Sequence, residues 1–189
     1  MPNIRQVTFK IPKDSKLRKY SDQIMDILEN KGTQDLINFR DQLFHDTFAF
    51  VKSELRTNTY PLIIVDFVPN QVEYESLEKE TNQLIYQREK PTTQTLGFAI
   101  TSETRNEIYI NLEPFLELLK INCGVFILNF VNTLMHEILH CFFRNSKNEQ
   151  EIHDLQYSIL GKFLGVDLPN EMKKSKTSDY YKTTNKEQG

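Results

Sequence analysis

Cysteine is scarce in this chain: Cys123 and Cys141 are the only two among 189 residues. On one helix they would stand about 27 Å apart at ~1.5 Å per residue, far beyond disulfide reach. That excludes a disulfide-stapled fold and sets the expectation of free thiols in a reducing, cytoplasmic setting. Basic excess is missing as well. Lys and Arg number 23 against 26 Asp and Glu, for a net charge of -3. This balance counts against a nucleic-acid partner, whose phosphates call for a basic face. Long apolar runs are also lacking. The most apolar stretch, "GVFILNFVNTLM" at residues 124–135, is interrupted by Asn129 and Asn132. A bilayer span needs about 20 apolar residues, so no membrane partner is expected. The opening "MPNIRQVTFKIPKDSK" carries no apolar core of signal-peptide length. No internal repeat or low-complexity linker divides the chain.

What is present supports one core. With 39% hydrophobic residues, the length suits a single domain. We place it at residues 1–168, followed by a polar tail, 169–189, that is expected to be mobile. Val7–Ile11 alternates like a short strand. "SDQIMDILENKG" reads as a helix stopped at Gly32, and Thr33 is expected to cap a longer one. Leu36, Phe39, Leu43, Phe48, Val51 and Leu55 give that helix an apolar face. "YPLIIVDFVP" is a continuous apolar run fenced by prolines, the pattern of a central strand. A polar segment from Val72 to Lys90 is expected to be helical and to end before Pro91. "LGFAIT" and "EIYINL" suggest two strands joined by the tight turn "SETRN". "EPFLELLK" suggests a short helix. Cys123–Phe143 reads as a buried helix, apolar nearly all round, and "RNSKN" breaks it before a last helix, Glu149–Gly165. The order of elements predicts an α+β fold with a small mixed sheet and a helix hairpin.

Chemistry concentrates in "MHEILHCFF", Met135–Phe143, where two of the chain's four histidines interrupt an oily run. Residues four apart stack on one helical face, so His136 and His140 can turn both imidazoles to one ion. Zn²⁺ takes nitrogen at about 2.0–2.1 Å and favours four ligands in a tetrahedron. Glu137 lies about 100° round the helix, within reach of a zinc-bound water but not itself a ligand. Zinc lowers the pKa of such a water, and the carboxylate can take its proton. The plainer alternative is a core helix with two half-buried histidines. A buried Glu137, though, needs a reason to be tolerated.

A catalytic zinc needs a third protein ligand and one open position. The turn near Ser146 folds the last helix back, so a ligand is expected near residue 152. On a wheel with Ile152 at zero, Leu155, Ile159 and Phe163 face inward, with Glu149 at about 60° and His153 at about 100° beside them. Glu151 and Asp154 fall toward solvent. His153 is the preferred third ligand, since its height matches His140, and Glu149 is the alternative. The other of the two then supports the ligand. A surface histidine and a first-turn charge are the ordinary readings of these two residues. His45 falls off the apolar face and receives no role. Tyr157 and Arg144 are considered as oxyanion donors, each with an ordinary structural alternative.

"HEILH", the preceding "EIYINL" and the following helix together resemble the zincin-type metallopeptidases over about residues 96–165. The resemblance implies a zincin-like fold and one Zn²⁺ per chain held by His136 and His140. It implies Glu137 as the base that activates water. It further implies a peptide or protein substrate lying along Ile108, Tyr109, Ile110 and Asn111 as an edge strand. SprT-like enzymes draw a third histidine from the next helix, matching His153. ImmA/IrrE-type peptidases draw a glutamate, matching Glu149, although Ile152 and His153 stand where that motif has Ala and Asn. Hydrolysis of another bond, such as RNA, and a non-enzymatic zinc-binding regulator are the competing functions.

Overall fold

The computed structural model describes residues 4–8, 11–85, 96–144, 146–168, 170 and 180–184. The described elements are six helices, a three-stranded mixed sheet and a two-stranded parallel pair. The α+β class is therefore as the sequence predicts.

Strand β1 spans Ile4–Thr8, earlier than the alternation at Val7–Ile11 suggests, and residues 9 and 10 lie outside the described set. Helix α1, Lys16–Asn30, starts before the expected "SDQ" because the Ser15 side chain accepts from the Arg18 amide and caps it. Its buried residues Leu17, Tyr20, Ile24 and Ile27 recur at helical spacing. Helix α2, Thr33–Glu54, buries Phe39, Leu43, Thr47 and Val51, one per turn. Its N-cap is Gly32 rather than Thr33. The Asp35 carboxylate accepts the Gly32 amide and meets a donor that a serine or threonine cap would leave open.

Strand β2, Ile63–Val68, departs from its expected central place. The sheet order is β2-β4-β3, so β2 is an edge strand. Its burial alternates, and Leu62 and Ile64 lie largely in water, 84% and 57% exposed. A continuous apolar run reports only that both faces are oily; which neighbour pairs with it is settled elsewhere. Helix α3, Gln71–Ile85, follows, and its expected end before Pro91 lies outside the described residues. Strand β3, Gly97–Thr101, and strand β4, Asn106–Asn111, form the predicted hairpin, antiparallel with Gly97 opposite Ile110. The centre belongs to β4, which is parallel to β2 on its other side.

Helix α4, Leu112–Ile121, is capped by Asn111, whose side chain accepts from the Glu113 amide. Helix α5, Cys123–Phe143, is the axis of the molecule and packs against α1, α2, α4, β3 and β4. Phe130 at its middle stacks on Phe126 and meets Phe115 edge-on and Phe67. Each such aromatic pair adds ~0.5–1.5 kcal/mol beyond area burial. By length and composition α5 could cross a membrane, but 78% of its most apolar window is buried inside the fold, which is compatible with a soluble protein. Helix α6, Glu149–Leu164, returns against α5. Asn148 and Glu151 form its capping box, and Gly165 at φ 68° ends it in the left-handed conformation that favours glycine.

The tail contains a strand that composition did not announce. Strand β5, Tyr180–Thr184, pairs in parallel with β1, Ile4 opposite Tyr180, and also meets α5. The tail expected to be mobile thus includes a strand at residues 180–184. Backbone pairing across the length of the chain leaves no mark in local polarity. Deleting residues 169–189 should lower Tm by roughly 2–4 °C, the shift that about 1 kcal/mol produces in a domain of this size. An unchanged melting curve would show that the β1–β5 pairing adds nothing to stability.

Candidate metal centre

Local helical geometry sets the first two donors. His136 and His140 stand on successive turns of α5, with ring centroids 4.6 Å apart and Nε2 atoms 3.1 Å apart. The turn after Phe143 is sharp. Arg144 takes φ 49°, a positive value uncommon for a residue with a side chain, and its amide donates to the His140 carbonyl. That reversal brings Glu149, the first residue of α6, over the two imidazoles. Its Oε1 lies 3.0 Å from His140 Nε2 and its Oε2 3.5 Å from His136 Nε2.

Two imidazole nitrogens and the two oxygens of one carboxylate therefore lie together, with Nε2–Nε2, His140–Oε1 and His136–Oε2 separations of 3.1, 3.0 and 3.5 Å. Ligands about 2.0–2.1 Å from a tetrahedral zinc are separated by roughly 3.3–3.4 Å, so nitrogen and carboxylate donors at these separations fit such an ion. His153, one turn beyond Glu149, lays its ring against His136 with centroids 4.9 Å apart. Its donor falls within 4.8 Å of those of His136 and Glu149, a grouping able to hold a metal ion. All four predicted metal residues are thus gathered at one place, with Glu149 touching both histidines of α5. The two α5 imidazoles are about one-fifth exposed and the Glu149 side chain about two-thirds, so the cluster opens to solvent on the Glu149 side.

Electrostatics distinguish the members. Burial first, and then the neighbouring His140, push the His136 imidazole down to about 4. Burial opposes protonation of His140 too, but the hydrogen bond to Glu149 and the charges of Glu137 and Glu149 outweigh it and raise its pKa. The same bond to His140 is the main cause that brings the Glu149 carboxyl down to about 2. Glu137 sits next to His136 but deeper, 6% exposed, and burial pushes its carboxyl up to about 7. A carboxyl with a raised folded-state pKa binds more protons folded than unfolded, so its ionisation weakens the fold as pH climbs from about 4.5 to 7. In metal-free protein, Glu137→Gln should therefore gain stability over the parent across that window. Paired Tm measurements check this, and a constant difference with pH would refute it.

Glu137 also touches the sheet. A Cβ placed on Gly97 would lie 3.3 Å from Glu137 Cγ, 3.1 Å from Thr133 Cγ2 and 2.9 Å from Ile110 Cδ1. Glycine here lets β3 pass directly over the α5 face that carries the carboxylate.

The expected substrate strand must be moved. Ile108, Tyr109, Ile110 and Asn111 belong to central β4, whose backbone is paired on both sides. Their side chains are committed as well. Ile108 and Ile110 are fully buried, the Tyr109 hydroxyl donates to Glu107, and Asn111 caps α4 and donates to Gln71. Among the described residues, β3 pairs only with β4 and so forms the sheet edge beside the site. Tyr157, considered as an oxyanion donor, gives its hydroxyl proton to the Leu168 carbonyl. His45 is exposed on α2 and lies against Phe44.

Two contributors escaped the sequence reading. Gln156 is 4% exposed on α6 and holds His136 Nδ1 at 2.8 Å, while its amide nitrogen reaches Asn132 one turn earlier on α5. The signal was available, because Gln156 falls at about 40° on the wheel that selects Glu149 and His153. No protein-family model matches the chain, and no curated protein or solved structure matches it either.

Proposed function

We propose that this protein is a zinc metallopeptidase in which His136, His140 and Glu149 hold one Zn²⁺ and Glu137 is the catalytic base. The observation that carries the reading is the Glu149 carboxylate held 3.0–3.5 Å from two imidazole nitrogens that are themselves 3.1 Å apart, beside a buried Glu137 carboxyl that is not part of the group. The contact of the Glu149 carboxylate with both α5 imidazoles supports Glu149 over His153 as third ligand. When bound, zinc supplies a Lewis acid that polarises the scissile carbonyl and acidifies water. Glu137 would accept the water proton and return it to the leaving amine. The outer side of β3, which has no strand beside it among the described residues, would offer backbone donors and acceptors to an extended peptide. Gly97 brings that edge against Glu137, so a chain lying along β3 passes the base.

A second reading rests on His153. With its donor close to those of His136 and Glu149, four protein groups could close around the ion and make a non-catalytic, structural site. Elemental analysis of gently purified protein should give about one zinc per chain, and a peptide library should be cleaved only by the loaded form. Absence of zinc, with none taken up on titration, refutes both readings. One zinc with four protein ligands in X-ray absorption, and no cleavage, favours the second.

A further inference from the structure

We infer that Gln156 and Asn132 form a relay that fixes His136 as the Nδ1–H tautomer, leaving Nε2 bare toward the Glu149 carboxylate and His140. This deepens the metal reading proposed above and rests on it for its purpose, but the relay itself is a property of the chain.

The argument runs outward from a group with only one possible role. The Asn132 backbone carbonyl can only accept a hydrogen bond. Gln156 lies against it with one amide atom at 2.9 Å, so that atom must be the nitrogen. The same nitrogen gives its second proton to Asn132 Oδ1 at 2.5 Å. With both protons of Nε2 committed to Asn132, the Gln156 carbonyl oxygen has one orientation left, facing His136 Nδ1 at 2.8 Å. A carbonyl oxygen cannot donate, so Nδ1 must carry the hydrogen. The neutral ring then has its lone pair on Nε2, the atom 3.1 Å from His140 Nε2 and 3.5 Å from Glu149.

Burial makes the choice firm. Gln156 is 4% exposed, so turning its amide over would set two oxygens against each other with little water to separate them. Gln156 and Asn132 belong to different helices, so the relay also ties α6 to α5 at the level of the site. An uncharged amide suits the task. It orients the imidazole without placing a further negative charge beside Glu137 and Glu149. Gln156 is thus a positioning residue: it acts on an ion only through His136. Metal-bound histidines ordinarily have their second nitrogen held in this way, and loss of the partner costs about 10- to 100-fold in affinity.

The test begins with metal-free parent protein labelled with ¹⁵N-histidine. Long-range ¹H–¹⁵N correlation at alkaline pH reads the tautomer of each ring, with His136→Ala assigning the resonance. His136 is expected as Nδ1–H. Gln156→Leu should let the ring populate Nε2–H and weaken zinc binding by about 10- to 100-fold against a competing chelator. A parent His136 with its proton on Nε2 overturns the inference whatever zinc does, and needs no variant to fold. A folded Gln156→Leu that leaves both tautomer and zinc affinity unchanged also overturns it. An Nδ1–H parent that takes up no zinc supports the relay and refutes the metal reading instead.

Discussion

Glu137→Gln should retain zinc and lose hydrolysis. Glu137 makes none of the contacts that join His136, His140 and Glu149, so removing its charge should leave those three in place as ligands. What disappears is the proton acceptor, and a positioned general base contributes about 10²–10⁴-fold to rate. The isosteric amide fills the same volume beneath Gly97, where a carboxylate Cγ already sits within 3.3 Å of the position a Cβ would take. Packing therefore survives, and the metal-free variant should be more stable than the parent at neutral pH, since burial pushes the native carboxyl up to about 7. Cleavage of a peptide library at the parental rate would remove Glu137 from the mechanism.

The other large effect separates Glu149 from His153. Glu149→Ala takes away the group that reaches both α5 imidazoles and should reduce zinc affinity by well over 100-fold, more than loss of a supporting group costs. His153→Ala removes a ring that lies against His136, and as a supporting group its loss is expected to cost no more than about 10- to 100-fold. Chelator competition on both variants decides. If His153→Ala abolishes binding while Glu149→Ala keeps it, the third ligand is the histidine, and the site follows the SprT-like pattern rather than the glutamate pattern of ImmA/IrrE-type peptidases. Equal, severe losses would point to four protein ligands and the structural reading.

The parts of the molecule that could be read in advance are those governed by short-range geometry. His136 and His140 share a face because a helix repeats every 3.6 residues, whatever surrounds it. The same rule put Glu149 and His153 beside the apolar stripe of α6, and it would have put Gln156 there too. Hairpin β3–β4 followed from two alternating runs around a polar turn, and α5 from a long apolar segment flanked by Asn122 and Arg144. Ser15 shows the limit even of local rules: it moved the start of α1 forward through a single side-chain hydrogen bond.

Sequence by itself determined the helices, the hairpin, the α+β class and the set of residues from which a site could be made, because those depend on neighbours a few positions apart. Tertiary structure alone decided how that set is used. "YPLIIVDFVP" and "EIYINL" are both apolar enough for a sheet centre, and only the packing of β3 and β2 on either side of β4 placed Ile108–Asn111 inside and left the edge to β3. The pairing of β1 with β5 joins segments more than 170 residues apart, and no local pattern encodes it. The placement of Glu149 and His153 over the α5 imidazoles follows from the reversal at Arg144 and the packing of α6 on α5. Periodicity can name the face of a helix, but the distance between two side chains on different helices is a property of the packed core, where the summed contacts of many residues fix where each backbone lies.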